Sequence, residues 1–164
     1  MTLKALTAVD ACDILDFWVS APWPMQIEQT HQYASQLGWT VEEEDGEKFL
    51  VNESSVLTEG FVDANFTDSG DTAAITFYTT DVAKGDITDE STAFLNDQFT
   101  LLYREAISRW GAETKQTSSE LDGRSIEWEL PGDKGRIGIS QLKRVVTADF
   151  STPMYAKVLS ELGE

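Results

Sequence analysis

The sequence predicts an α+β domain: an antiparallel sheet of about six to seven strands packed by helices on one face, in the order ααββββαβββα. Three observations carry this. Segments with three- and four-residue apolar spacing are interleaved with runs of period two. Turn signals such as Asp45-Gly46 and Asp122-Gly123 separate those runs at hairpin distance. No linker, repeat or low-complexity stretch divides the chain, so residues 1–164 read as one domain. With 41% apolar and 10% aromatic residues, 164 residues suffice for a core without staples, which excludes disorder as the main state.

The elements follow in order. Thr7 is an N-cap with Asp10 three positions on, and a helix runs to about Ser20. Its apolar side holds Ala11, Cys12, Ile14, Leu15, Trp18 and Val19, while Asp10, Asp13 and Asp16 lie opposite with Phe17 among them. Pro22-Trp23-Pro24 ends it and starts a second helix, with Pro24 near the first turn, which reaches Leu37 and stops at Gly38. Trp39 to Glu44 and Glu47 to Glu53 form a hairpin about Asp45-Gly46. Residues 61–68 and 72–80 form a second, with Val62, Ala64 and Phe66 on one face. Thr88 or Asp89 caps a long helix to Trp110, whose stripe is Leu95, Phe99, Leu102, Ala106 and Trp110. After Glu113 to Ser119 and the Asp122-Gly123 turn, three more strands fit, through Arg124 to Leu130 and Arg136 to Gln141, with Val145 to Phe150 as the third. Thr152-Pro153 then opens an amphipathic helix of Met154, Tyr155, Val158, Leu159 and Leu162.

The chemistry is sparse. One cysteine excludes an intrachain disulfide framework and any multi-thiolate metal site. There is no Gly-rich phosphate loop, no nucleophile elbow and no calcium loop, so no enzyme activity, metal or cofactor is expected. Cys12 and His31 are the only members of their kinds and could pair as a dyad, but Cys12 falls on an apolar helix face, where a packed thiol is the usual occupant. Asp86, Asp89 and Glu90 could hold a cation, yet acids in a helix's first turn are expected from its dipole alone.

Charge is the more informative feature. Twelve basic against 29 acidic side chains give −17, and 16 of those net charges belong to the first 100 residues. Such a surface repels nucleic acid and anionic membrane and attracts a basic protein. The candidate partner-binding residues are Asp10, Asp13 and Asp16 around Phe17, an aromatic anchor within a charged rim, together with Trp23 and the run Glu42, Glu43, Glu44, Asp45. The plainer readings are that Phe17 packs under the following loop, that Trp23 plugs the core edge, and that the acidity serves solubility. No window approaches a membrane span and no signal-peptide pattern opens the chain, so a cytoplasmic protein is expected.

Two resemblances extend this. Trp128-Glu-Leu-Pro-Gly-Asp-Lys-Gly-Arg-Ile-Gly-Ile, followed by Val145-Val146, Ser151-Thr-Pro-Met-Tyr-Ala and Leu159 to Gly163, resembles the C-terminal pattern of an uncharacterised actinobacterial domain family of about this length. With the Trp23-Pro24 turn, the match covers most of the chain. Such proteins resemble the small acidic immunity proteins of polymorphic or type VII-secreted toxin systems, which implies a non-enzymatic inhibitor of a basic, nuclease-like toxin domain. The matching Gly, Pro and Trp positions are structural and carry no functional residue across. The element order is also similar to class I type III secretion chaperones, which implies an adaptor holding an effector segment; this chain departs from them by an extra N-terminal helix and additional strands.

Overall fold

The computed structural model describes residues 2–53, 55–119 and 123–164. It has the expected α+β character, with four α-helices and eight strands among the described residues. Helix α1 (Ala8–Val19) begins where the Thr7 hydroxyl accepts the Asp10 N–H at 3.0 Å and ends at Ser20. Helix α2 (Ile27–Ala34) continues as a 3₁₀ turn (Ser35–Leu37) that closes on Gly38 in the left-handed conformation. It starts three residues later than the prolines imply. The Trp23-Pro24 peptide is cis, the Met25 carbonyl accepts the Thr72 N–H, and Gln26 bonds Asp71, so residues 25–26 are held extended against the next hairpin.

Strands β1 (Thr40–Glu44) and β2 (Glu47–Val51) pair about Asp45 and Gly46, both at positive φ (53° and 82°), the backbone a tight two-residue hairpin requires. The remaining strands are β3 (Val62–Phe66), β4 (Thr72–Tyr78), β5 (Lys115–Ser119), β6 (Gly123–Glu129), β7 (Arg136–Gln141) and β8 (Val146–Ser151). They form one antiparallel sheet in the order β3-β4-β8-β7-β6-β5, and a bridge from Val51 to Phe61 docks the β1–β2 hairpin beside β3. The strand beyond the expected number is β5, whose exposed Lys-Gln-Thr-Ser-Ser has no apolar alternation. Asp122 of the expected turn lies outside the described residues. Phe66 leaves the face of Val62 and Ala64 because the register shifts between Asn65 and Phe66, and it is 63% exposed.

The core lies on one face of the sheet. Ile75 and Phe77, Ile126 and Trp128, Ile137 and Ile139, and Val146, Ala148 and Phe150 meet Ala11, Cys12, Leu15 and Trp18 of α1. Leu95, Phe99, Leu102 and Ala106 of α3 (Asp89–Trp110) complete it. Helix α3 is fixed at its start by a reciprocal capping box between Thr88 and Ser91. Helix α4 (Pro153–Glu161), capped by Thr152, is a correction to the one-faced arrangement. It contributes nothing to the core cluster, and Arg136, from the opposite face of β7, reaches its Ser160 hydroxyl and the Glu164 carbonyl. Its predicted apolar stripe is accordingly split, with Tyr155 and Leu159 half-buried and Met154, Val158 and Leu162 exposed. No helix of the described residues is long and apolar enough to cross a membrane.

Candidate partner-binding surface

The predicted site residues fall into three separate settings. On α1, Asp13 and Asp16 turn towards α3, where Arg109 Nη1 binds a carboxylate oxygen of each at 2.8 Å while its Nε binds Glu105 at 2.8 Å. Trp110 Nε1 adds a bond to Asp16 at 3.1 Å. This guanidinium, only 20% exposed and gripped first by Glu105, is held even further into its charged form. These two aspartates therefore brace α1 to α3. Phe17 is half-buried, with its ring 4.9 Å from Tyr33 of α2 and edge-on to Trp18 at 5.0 Å. It joins the two N-terminal helices. Trp23 stacks on Phe150 at 5.7 Å and donates its indole N–H to the Trp18 carbonyl at 2.7 Å, sealing one end of the core.

The hairpin is different. Glu42, Glu43, Glu44, Asp45, Glu47 and Glu53 are all exposed, with Lys48 as the one base among them, and none of these carboxylates makes an ion pair among the described residues. Charged residues on an outer strand are what keep an open sheet edge from pairing with other chains indiscriminately. The crowding raises one carboxyl: a hydrogen bond to Glu53 holds Glu42 above its ordinary range.

At the root of this hairpin lies a groove of about 230 Å³, lined among others by Asp10, Ile14, Leu37, Trp39 and Val56. The helix α1, the 3₁₀ turn and the segment after β2 form its walls, and Trp39, 3% exposed, belongs to the core beneath. Asp10, alone of the three α1 aspartates, lines this groove and is in no ion pair among the described residues. Asp10 thus borders a groove at the foot of the hairpin, whereas Asp13 and Asp16 pair with Arg109, and Phe17 and Trp23 pack against aromatic rings.

The groups that could support catalysis are scattered. Burial pushes the Cys12 thiol up to about 12, and the charges that act on it are Arg109, Glu105, Asp16 and Asp13. His31, lowered chiefly by burial, responds to Glu28 and Lys48. These two do not form a dyad. Asp149 was not legible as special in the sequence. It lies half-buried on the sheet face opposite the core, in a transverse row with Thr76, Gly138 and Glu127. A side chain at Gly138 would come within 2.5 Å of its carboxylate oxygen, so only glycine leaves room for it. Burial, then the neighbouring Glu127, raises its carboxyl to about 6, against a smaller opposing effect of Arg136. The alternation Val146, Ala148, Phe150 was the available signal, because it leaves Asp149 on the second face.

A cavity of about 590 Å³ lies elsewhere, between Leu3 and the start of α3, and includes Lys84, Asp86, Glu90 and Phe94. Lys84 is engaged by Glu59 at 2.8 Å, and Thr88 and Ser91 are used in capping. Asp149 lines neither this cavity nor the groove beside the hairpin. Among the described residues no group of three His, Cys, Asp or Glu is placed to hold a metal ion, Asp86, Asp89 and Glu90 included.

No curated protein and no solved structure matches this chain. A family model does, over residues 9–152, which takes in the eight strands among the described residues, α2, α3 and nearly all of α1, and the groove apart from Ala5, Leu6 and Thr7. The chain belongs to that family, described as a family of unknown function, DUF6301.

Proposed function

We propose that this protein is a non-enzymatic binding protein of the immunity type, which neutralises a cognate basic toxin domain in the cytoplasm by masking its active site. The observation that supports it is the unpaired acidity of the hairpin. Six exposed carboxylates against one lysine, in no ion pair among the described residues, leave the hairpin with a surplus of negative charge. A toxin that acts on nucleic acid presents a basic groove, and an acidic inhibitor is both steered to that groove and able to exclude phosphate from it. Barnase and barstar, the standard illustration of such steering, show how far charge complementarity can carry an interface of this kind.

The second reading, an adaptor or secretion chaperone holding an extended effector segment, draws on the exposed outer strand β1, which could accept an added strand. Capture on the tagged protein from its source lysate, eluted with rising salt and followed by mass spectrometry, separates the two. The expected result is one stoichiometric basic domain, released by salt, whose activity the purified protein inhibits. Capture of a secretion substrate that still binds as a short unfolded segment overturns the immunity reading in favour of the adaptor. A captured basic domain whose activity is untouched by stoichiometric complex formation overturns it as well.

A further inference from the structure

The groove at the hairpin root is too small for an ordinary small-molecule ligand and well suited to one long side chain. Its volume of about 230 Å³ falls below the roughly 300–1,000 Å³ of small-molecule sites. Its walls mix apolar and polar groups: Leu6, Ile14 and Leu37 are half-buried, Trp39 is buried and Val56 is 60% exposed at the mouth, while Thr7, Asn52 and Ser55 supply polar lining. One carboxylate, Asp10, lines it without a cation of its own, and Glu53, hydrogen-bonded to Glu42, follows the groove residue Asn52. The N-terminus of α1 contributes about half a positive charge nearby, which the full charge of Asp10 and the surplus of the hairpin outweigh.

We propose that this groove is a socket for a single arginine side chain presented by a basic protein partner. The inference rests on the binding reading above for the protein that carries the arginine, and goes beyond it in naming the contact. An arginine stem covers apolar surface while its head stays polar, which matches Ile14, Leu37 and Val56 beside the single Asp10 carboxylate. Its planar fork pairs with a carboxylate through two parallel bonds, which a lysine ammonium cannot do, so arginine is preferred over lysine. The hairpin then supplies approach and Asp10 supplies retention.

The test needs no knowledge of the partner. Isotope-labelled protein is titrated with N-acetyl-arginine amide and followed by amide and indole chemical shifts, with the lysine and citrulline analogues as controls. Saturable shifts are expected at Asp10, Ile14, Leu37 and the Trp39 indole, with the neutral citrulline analogue binding about tenfold more weakly. Asp10→Asn should weaken the arginine probe by a similar factor, while Glu44→Gln at the hairpin tip changes it less than about twofold. Shifts that spread over the hairpin without saturating, or that persist undiminished in Asp10→Asn, overturn the socket. The two readings fail separately. A basic domain captured and inhibited equally by wild type and Asp10→Asn removes the socket alone, whereas saturable arginine binding in a protein that captures no basic domain removes the toxin reading alone.

Discussion

Helix α1 and the β1–β2 hairpin are both acidic, and they use that acidity in opposite ways. On α1, Asp13 and Asp16 converge on Arg109, whose side chain is mostly withdrawn from solvent, and their charge is consumed in holding two helices together. On the hairpin, Glu42 to Asp45 make no ion pair among the described residues, and a hydrogen bond to Glu53 holds the Glu42 carboxyl above its ordinary range. Formal charge is therefore a poor measure of the field a region offers a partner. What counts is the charge left after internal pairing, and by that measure the hairpin and Asp10 keep a field that Asp13 and Asp16 share with Arg109.

The largest effect that can break this distinction is chemical. Cys12 lies beneath the brace, and a thiol pushed up to about 12 should be labelled at pH 8 on the order of a thousandfold more slowly in the native chain than in the unfolded one. Labelling of the native protein at the unfolded rate would mean that the α1–α3 interface is open. Next in size, Arg109→Met should lower the unfolding free energy in urea by about 2–3 kcal/mol, because it leaves Asp13, Asp16 and Glu105 facing one another, and it should speed Cys12 labelling in parallel. A loss under about 0.5 kcal/mol would reduce the brace to an ordinary surface ion pair.

Asp149 offers a third case, a carboxylate with burial but insufficient relief. Its folded carboxyl titrates near 6 against an ordinary 3.8, so folding disfavours the ionised form. The penalty is absent below about pH 4, grows between 4 and 6, and is complete above that. Asp149→Asn should accordingly stabilise the protein by about 2 kcal/mol at pH 7 and leave it unchanged at pH 3.5. Equal effects at both pH values would show that packing, not charge, governs the position. The smallest expected effect belongs to the hairpin: in Glu53→Ala the Glu42 carboxyl, followed by NMR, should fall back to the ordinary glutamate range, with the thermal midpoint unmoved.

Local signals carried much of this fold in advance. Thr7 and Thr152 cap α1 and α4 as expected, Thr88 of the two candidates caps α3, and Asp45-Gly46 places the turn of the first hairpin to the residue. What escaped was set by distant partners. Strand β5 has no apolar face because it is an exposed outer strand, and it is recognisable only from its pairing with β6. The brace needed Arg109, 93 residues from Asp16, and helical periodicity says nothing about which cation a polar face will meet. Phe66 was lost to a one-residue register shift, and α4 to the second face of the sheet, which alternation marks as polar without marking what covers it. Of the candidate surface, the run Glu42 to Asp45 was plain in the sequence. The groove was not, since its walls come from α1, the 3₁₀ turn and the segment beyond β2.

The position of β8 sets the order in which the chain can be assembled. This last strand lies in the interior of the sheet, between β4 and β7, so residues 72–78 have no partner on that side until residues 146–151 exist. At about 5–20 residues per second of synthesis, the first half waits roughly 4–14 seconds for the strand that closes it. During that interval Ile75 and Phe77 have no Phe150 or Ala148 beside them, and helix α1 has no completed sheet to cover. Closure by the last strand makes the two halves fold as one cooperative event of high contact order, and removal of residues 146–151 should leave two unpaired half-sheets rather than a smaller folded protein.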